Sequence, residues 1–349
     1  MPTNAAVTVL ERLERLYAIG GGPGANRPHP SAAEDEAHVL VAEWMREAGL
    51  AVEVDVDGNL IGRSEQSADV WVGSHLDTVP QGGRFDGALG VVAGIEAVER
   101  VGLGSVVAFR GEEVGCVGSR ARVARRAMLP SAFLELHIEQ GPVLADANVP
   151  LGVVTSIVGY ARGELLFEGR VGHAGTTPME GREDALVEAA EKILRIRDAA
   201  RAIDGAVATV GRLELEPGGT NVIPESVRIS VDARAPDSAR LAQLIGAIAF
   251  DPRDRTEPVA MSGVVRGVLR REIELAGLEV VELASGAGHD AGILAAAGVP
   301  SGMLFVRSLN GGVSHSPEEL SSEEDISIAA EVLAGALRRL APGGGESPL

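Results

Sequence analysis

A histidine and two aspartates stand just past the end of a short apolar run, where their side chains could bind a divalent cation. The run is Ala68–Gly73, and the polar residues that follow it are His75, Asp77 and Asp86. Such a run is typical of a strand buried on both faces. Ligands of open α/β sheets bind at the ends of strands like this one. We therefore expect His75 and Asp86 to meet in one site.

Three other apolar runs end in the same way, with a histidine or a glutamate close to glycine. Imidazole and carboxylate groups together suit zinc, manganese or cobalt. The repetition indicates a metal site collected from several strand ends. The three are Ser105–Phe109 before Glu112 and Glu113, the segment Glu135–Pro142 with His137 and Gln140, and Met303–Val306 before His315.

The composition excludes several classes of partner. The chain has 349 residues, enough for two domains with a large core. Its net charge of −19 and pI near 4.8 argue against nucleic acid or an anionic membrane surface as a partner. Cys116 is the only cysteine, so no disulfide framework is expected. The N-terminal residues lack a signal-peptide pattern and no apolar run is long enough to span a membrane, so we expect a cytoplasmic protein.

The order of the remaining elements predicts an α/β fold. Ser31 and Glu34 form a capping-box pattern at the start of a helix, and residues 51–63 predict a β-hairpin. The strand before His75, a helix that starts at Gly87 and the next apolar run then give a β-α-β succession. This succession is typical of a mostly parallel sheet covered by helices.

The pattern changes after about residue 154. Apolar periodicity there predicts a β-α-β-β-α succession, which suits a small α+β domain inserted into the first one. Near residue 261 the chain returns to the first domain and reaches a glycine-rich turn at residues 286–290. We predict a catalytic metal-binding domain made of residues 1–156 and 263–349, with an inserted domain at residues 157–262.

At this point the sequence resembles a known family, the hydantoinase/carbamoylase amidases. That family includes N-carbamoyl-L-amino acid hydrolases, allantoate amidohydrolases and β-ureidopropionases, within the dinuclear-zinc exopeptidase superfamily. The resemblance runs from the first predicted helix to the last. The motifs that carry it, in chain order, are Ser74–Pro80, Gly83–Gly87, His137–Pro142, Gly172–Met179, Ser285–Asp290 and Ser314–Glu318.

The resemblance implies two divalent metals per subunit, with zinc as the first choice and manganese or cobalt as alternatives. Asp86 would bridge them, and Asp77 would orient the His75 imidazole. A hydroxide bridging the metals would attack the carbamoyl or amide carbon, with Glu112 as the general base. The remaining ligands that the family pattern assigns are His75 and His137 for one metal and Glu113 and His315 for the other.

The resemblance also implies how a small substrate with a free carboxylate would bind. Arg234 would pair with that carboxylate, and His173 would donate to the oxyanion. The inserted domain would act as a lid and a dimerisation domain, so a homodimer is implied. The other residues assigned to the pocket are Gln140, Asn221 and Gly286.

The chain departs from the family in one place that bears on the substrate. The segment between Glu113 and His137 is short compared with that of carbamoylases, and the segment after Arg234 is also short. Three hypotheses therefore stay open. The first is a hydrolase of N-carbamoyl-L-amino acids or related ureido acids, the second an N-acyl-amino-acid deacylase or dipeptidase on the same scaffold. The third is a homologue that binds a metal or ligand without catalysis.

Overall fold

The structure, a computed structural model, describes residues 4–125 and 128–341 and divides into two compact units. One unit combines the chain up to Thr155 with the chain from Ala260 onward, and the other is Ser156–Val259. The helices are α1 (Asn4–Tyr17), α2 (Ala32–Glu47), α3 (Ala88–Val101), α4 (Val117–Ala124), α5 (Val143–Asp146), α6 (Ala185–Arg201), α7 (Ser238–Ile248), α8 (Gly263–Leu275), α9 (Asp290–Ala296) and α10 (Glu323–Leu340).

The strands are short in most places and follow the predicted order closely in the first unit. They are β1 (Ala51–Val54), β2 (Leu60–Arg63), β3 (Gln66–His75), β4 (Leu103–Phe109), β5 (Ala132–Ile138), β6 (Leu151–Ile157), β7 (Gly159–Glu168), β8 (Gly172–His173), β9 (Val207–Thr209), β10 (Leu213–Glu216), β11 (Val222–Ile223), β12 (Ser226–Ala235), β13 (Asp254–Thr256), β14 (Val259–Ala260), β15 (Val281–Ser285) and β16 (Ser301–Val306).

The first unit is built on a sheet whose central strands are parallel, as the sequence predicts. In the described part of the chain the strand order is β1-β2-β4-β3-β5-β16-β6-β14, and β15 also pairs with β6. The strands β4, β3, β5 and β16 run parallel to one another. The hairpin β1-β2 is antiparallel and lies at one edge. The predicted α/β fold class is therefore confirmed.

Helices cover this sheet because their apolar faces match it. The helix α3 is apolar on nearly every side, and its residues from Ala88 to Val98 are almost all buried. It contacts β3, β4 and β5 as well as α1 and α10. A helix that is apolar all round has to be enclosed in this way. The start of α3 is consequently fixed relative to the ends of β3 and β5.

The second unit is an antiparallel sheet with two helices. Strand order is β10-β12-β7-β13, with β9 also pairing with β12, and α6 and α7 cover one face. Alternate residues of β12 are buried, as expected for a sheet with one covered face. The predicted β-α-β-β-α succession omits four short strands that this unit contains, which are β8, β10, β11 and β13. Each has only two to four residues, too few to give a clear periodic signal.

Among the described residues, no helix combines the length and the apolar content that crossing a membrane requires.

Candidate metal centre

Parallel strands bring the predicted metal ligands to one edge of the first unit's sheet. His75 is the last residue of β3, and His137 lies near the end of β5, the neighbouring strand. Glu112 and Glu113 follow β4, which pairs with β3 on the other side. Because parallel strands end at the same edge, these side chains converge. Asp86 arrives from the turn that precedes α3.

A glycine allows Asp86 to approach the histidines closely. Gly87 has φ +63°, a left-handed conformation that favours glycine. A Cβ atom at this position would lie 2.4 Å from the His75 ring. Any larger residue would therefore push the turn away from the imidazole. The glycine keeps the Asp86 carboxylate beside His75 and His137.

The first group of ligand atoms comprises His75, Asp86 and His137, all of which are buried. The Nε2 atom of His137 lies 3.0 Å from Asp86 Oδ1, and that of His75 lies 3.5 Å from the same oxygen. The rings of His75 and His137 are 5.9 Å apart between centroids. Both imidazoles thus present Nε2 to one oxygen of Asp86.

The second group uses the other oxygen of the same aspartate. His315 Nε2 lies 3.3 Å from Asp86 Oδ2 and 3.5 Å from Glu113 Oε2. Glu113 is nearly buried, whereas half of the His315 side chain is exposed. Asp86, Glu113 and His315 therefore form a group that is open to solvent on the His315 side. The two oxygens of Asp86 face two different groups of ligands.

These separations fit coordination by small divalent cations. Two ligand atoms about 2.0–2.1 Å from one tetrahedral ion lie about 3.3 Å apart. The pairs described above are spaced by 3.0–3.5 Å. His137 Nε2 is buried and, despite its 3.0 Å approach to Asp86, is not aligned for a hydrogen bond. Glu113 Oε1 is likewise buried without a hydrogen bond. A bound cation would satisfy buried polar atoms of this kind.

The electrostatics of the centre also favour added positive charge. Burial raises the pKa of Glu112 well above its ordinary value; His75 opposes this shift, and the carboxylates of Asp290 and Glu113 add to it. Contact with Asp86 is the main reason that the pKa of His315 rises to about 9. Protons on the imidazoles thus balance the carboxylates in the protein alone. Cations bound at these atoms would replace those protons, because metal ligands must be deprotonated.

Glu112 lies beside the first group but is not part of either. Its Oε2 atom is 3.8 Å from His75 Nε2, and the Cys116 thiol lies 3.8 Å from its other oxygen. The carboxylate is well shielded from solvent. A buried carboxylate next to a cation site, and not needed to complete it, is suitably placed for proton transfer.

Asp77 has a broader role than the sequence indicates. Its Oδ1 atom is 3.3 Å from His75 Nδ1, but that imidazole nitrogen lies closer, at 3.1 Å, to the Asp77 carbonyl oxygen. The carboxylate also accepts the backbone N–H groups of Glu112 and Glu113, each at 3.1 Å. Asp77 therefore connects the histidine of one ligand group to the turn that carries the general-base candidate.

Gln140, predicted to bind substrate, contacts the centre directly. Its side-chain amide donates to Asp86 Oδ2 at 2.9 Å and to Ser314 Oγ at 3.1 Å. Gly286, also predicted for the pocket, lies directly after β15, in the turn that leads to α9. Both residues belong to the first unit, and their contact with a substrate stays a prediction.

The second unit holds the three other predicted residues. His173 in β8 pairs with Val222 in β11, and Asn221 precedes that strand, so His173 and Asn221 are neighbours and both are exposed. Arg234 is half-buried on β12, and its guanidinium donates to both oxygens of Asp232 at 3.0 and 3.1 Å. The substrate roles of these three residues stay predictions.

One residue beside the centre was not predicted at all. Glu319 is buried, and its Oε1 atom accepts the backbone N–H groups of Phe85 and Asp86 at 2.7 and 3.2 Å. Its Oε2 atom accepts from Ser314 Oγ at 3.0 Å. Glu319 follows the motif Ser314–Glu318, which was the only available signal. No sequence pattern links it to a turn more than 200 residues earlier in the chain.

Comparisons with known proteins match most of the chain to one family. Residues 71–339 match the family described as "Peptidase family M20/M25/M40". An N-carbamoyl-L-amino acid amidohydrolase from Geobacillus stearothermophilus is 39% identical over 95% of this chain and 98% of that protein. A probable allantoate deiminase from Oryza sativa subsp. japonica is 32% identical over 93% of this chain and 86% of that one.

A solved structure supports the same grouping. An amidase of the hydantoinase/carbamoylase family from Burkholderia multivorans superposes with a TM-score of 0.86 at 30% identity, covering 96% of this chain and 98% of that one. The alignment with the Geobacillus protein spans 402 positions, more than the 349 residues here. That relative therefore carries segments that have no counterpart in this chain.

Proposed function

Because the chain belongs to peptidase family M20/M25/M40, and within it to the hydantoinase/carbamoylase amidases, we propose that it hydrolyses N-carbamoyl-L-amino acids. The reaction cleaves the carbamoyl C–N bond with one water and yields an L-amino acid, carbon dioxide and ammonia. The observation that carries the proposal is the position of Asp86, whose two oxygens face two separate ligand groups beside the buried Glu112.

Two divalent cations fit the residues of the centre. His75 and His137 would hold one together with Asp86, and Glu113 and His315 would hold the other with the same aspartate. Cations at these positions would lower the pKa of water and polarise the carbonyl group of the substrate. Zinc suits the mixed imidazole and carboxylate donors, with manganese and cobalt as alternatives.

Glu112 is the proposed general base. It takes a proton from the attacking water and returns it to the nitrogen that leaves the carbamoyl carbon. Burial raises the pKa of Glu112 above its ordinary value, and a carboxylate with a raised pKa is a stronger base. The Asp77 carboxylate accepts a hydrogen bond from the Glu112 N–H group and so fixes the Glu112 backbone. The side chain therefore starts from an anchored position.

Residues of the second unit supply three of the proposed contacts to the substrate. Arg234 pairs with the substrate carboxylate, because a guanidinium binds a carboxylate through two parallel hydrogen bonds. Its existing pair with Asp232 has this same geometry. His173 donates to the oxyanion that forms during hydrolysis. The remaining proposed contacts are Asn221, Gln140 and Gly286.

A homodimer is part of the proposal, on the basis of the family resemblance. Light scattering on the purified protein would measure it. A mass of twice 36.0 kDa is expected, and a mass of 36.0 kDa at assay concentration would contradict it.

An N-acyl-amino-acid deacylase or dipeptidase is the second candidate. The observation that favours it is the excess of alignment positions over the length of this chain, because the Geobacillus relative has segments that this chain lacks. Three relatives of 34–39% identity are named as N-carbamoyl-L-amino acid amidohydrolases. The relatives named for allantoate or ureidoglycolate are 30–32% identical. This order supports the carbamoyl substrates as the first choice.

Product analysis tests the proposed function. Ammonia and amine are measured together from N-carbamoyl-L-amino acids, allantoate and β-ureidopropionate, and amine alone from N-acetyl-L-amino acids and dipeptides. The Glu112→Gln variant serves as the blank. Equal amounts of ammonia and amine from N-carbamoyl-L-amino acids are expected. Amine from acyl or peptide substrates without activity on any ureido compound would overturn the proposal in favour of the second candidate.

A further inference from the structure

The backbone N–H groups at the start of the turn that carries Glu112 donate to side chains outside it. After β4 ends at Phe109, the next backbone N–H groups have no strand to pair with. Arg110 N–H donates to the Asn59 side chain at 3.1 Å, and Gly111 N–H donates to Glu34 Oε1 at 3.3 Å. The next two N–H groups, of Glu112 and Glu113, donate to Asp77. Four successive N–H groups are thus held by three acceptor side chains.

Glu34 accepts from the N–H group directly before Glu112, and the proposed chemistry assigns it no role. Glu34 lies in the first turn of α2, where it forms the capping-box pattern with Ser31, and Ser31 Oγ accepts the Glu34 N–H at 3.1 Å. The Glu34 carboxylate, however, is directed at the catalytic turn. It is 1% exposed, with Oε2 2.7 Å from His29 Nδ1 and 3.3 Å from Arg110 Nη1. Burying a carboxylate is costly unless hydrogen bonds and opposite charges offset the loss of water, and the contacts of Glu34 with His29, Arg110 and the Gly111 N–H provide this compensation.

His29 contacts both Glu34 and the glycine whose N–H group Glu34 accepts. Gly111 has φ +60°, and a Cβ atom there would lie 2.7 Å from the His29 ring. The residue immediately before Glu112 therefore lies beside both the His29 imidazole and the Glu34 carboxylate. Neither His29 nor Glu34 is among the candidate metal ligands. Their shared target is the backbone of the turn.

We infer that Glu34 is a positioning residue for the general base. By accepting the Gly111 N–H, with His29 packed against the same glycine, it fixes where the Glu112 carboxylate starts its proton transfer. The inference rests on the proposed function for the identity of the reaction. The effect is expected on the chemical step more than on substrate binding, because a small displacement of a catalytic group reduces the rate steeply.

Two conservative variants separate the effect of the length of the Glu34 side chain from the effect of its charge. Glu34→Gln keeps the length of the side chain and an oxygen that can accept from Gly111, but loses the charge. Glu34→Asp keeps the charge but is one methylene too short to reach. We expect Glu34→Gln to retain kcat within about 3-fold of the wild type. We expect Glu34→Asp to lower kcat by roughly 10- to 100-fold with little change in KM.

Ser31→Ala is the matched control. It removes the cap hydrogen bond at the same helix start and leaves the Gly111 contact intact. It should keep wild-type kcat even where it lowers the melting temperature. Equal kcat losses in Ser31→Ala and Glu34→Asp would overturn the inference, since helix stability alone would then explain them. A Glu34→Gln variant as impaired as Glu34→Asp would also overturn it.

Hydrogen exchange gives a readout that does not depend on any substrate. In Glu34→Asp the amides of residues 110–113 should exchange at least about 10-fold faster than in the wild type or in Ser31→Ala. If the wild type releases ammonia but Glu34→Asp exchanges no faster than the wild type, the role of Glu34 is refuted and the proposed function stands. If Glu34→Asp exchanges faster but the wild type hydrolyses no ureido substrate, the role of Glu34 is supported and the proposed function is refuted.

Discussion

Replacing Glu319 tests whether one buried carboxylate holds the turn that carries Asp86. This side chain accepts hydrogen bonds from Phe85 N–H, Asp86 N–H and Ser314 Oγ at 2.7, 3.2 and 3.0 Å. Hydrogen bonds to charged groups contribute about 1.5–3 kcal/mol each, and a buried donor left without a partner costs about 1–3 kcal/mol. Because such contributions are not additive, we expect Glu319→Ala to lower the free energy of unfolding by about 3–5 kcal/mol.

The same change should weaken cation binding. Asp86 supplies an oxygen to both ligand groups, and Glu319 holds its backbone. Removing a group that orients a metal ligand typically lowers metal affinity about 10- to 100-fold. Glu319→Gln is the control, because its amide oxygen can still accept both N–H groups. It should bind cations within about 10-fold of the wild type.

The pH dependence separates the charge of Glu319 from its hydrogen bonds. Burial, with the Asp86 carboxylate adding to it, raises the pKa of Glu319 from 4.5 to about 7. A carboxyl group whose folded-state pKa is raised makes the folded protein less stable as pH increases from 4.5 to 7. The cation-free wild type should therefore lose stability over this range, and Glu319→Gln should lose less.

Urea unfolding at pH 5 and pH 8 and isothermal titration with zinc measure these effects. The reasoning would be refuted by a Glu319→Ala variant with wild-type stability and wild-type affinity for zinc. A Glu319→Gln variant as damaged as Glu319→Ala would equally contradict the prediction, because the amide oxygen can still accept the two backbone N–H groups.

Three other predictions concern single side chains. Glu112→Gln should lower kcat by at least about 10²-fold while keeping the cation content of the wild type by elemental analysis; a fully active variant would remove Glu112 as the base. Arg234→Ala should raise KM for N-carbamoyl-L-amino acids by about 10-fold or more. The control is Arg162→Ala, which removes another partner of Asp232 and should leave KM unchanged. Unchanged kinetics in both variants would exclude Arg234 from the pocket. Burial lowers the pKa of His38 from 6.5 to about 4, and the positive charge of Arg110 adds to this shift. The free energy of unfolding should therefore fall by at most about 3 kcal/mol as the pH drops between these two values. His38→Leu should flatten that part of the urea-unfolding profile, and an unchanged slope would contradict the assignment.

The parts of the centre that lie on strand ends could be predicted from sequence. Each apolar run is followed by a polar residue, so His75, His137 and the pair Glu112 and Glu113 were candidates from the pattern, whereas the choice of Glu113 as a ligand came from the family resemblance. The parallel order of β4, β3, β5 and β16 then brings these ends to one edge. Local signals also sufficed for the hairpin β1-β2 and for the start of α2.

The residues that hold the turns could not be predicted in this way. Glu34, Glu319 and the carboxylate of Asp77 all accept backbone N–H groups of segments that are distant in sequence. A backbone N–H group is the same for every residue type, so the sequence carries no mark of which one will be accepted. Such contacts become visible only when the tertiary fold brings the two segments together.

The roles of His173 and Arg234 are different again. The structure describes their surroundings within the second unit, where His173 neighbours Asn221 and Arg234 pairs with Asp232. Their connection to a substrate rests on the motifs that resemble the family. A guanidinium paired with a neighbouring carboxylate looks the same whether or not it also binds a ligand. Kinetics on the variants is therefore the appropriate measurement.

The most direct test of the central claim is a count of cations per chain that is made together with the assay for ammonia. Stripped protein is titrated with zinc, and bound metal and ammonia release from an N-carbamoyl-L-amino acid are followed in the same samples. The account predicts that activity appears as a second equivalent binds, and that Asp86→Ala binds neither cation tightly whereas His315→Ala keeps one. Full activity with one equivalent, or an Asp86→Ala variant that still binds two, would contradict a centre bridged by Asp86.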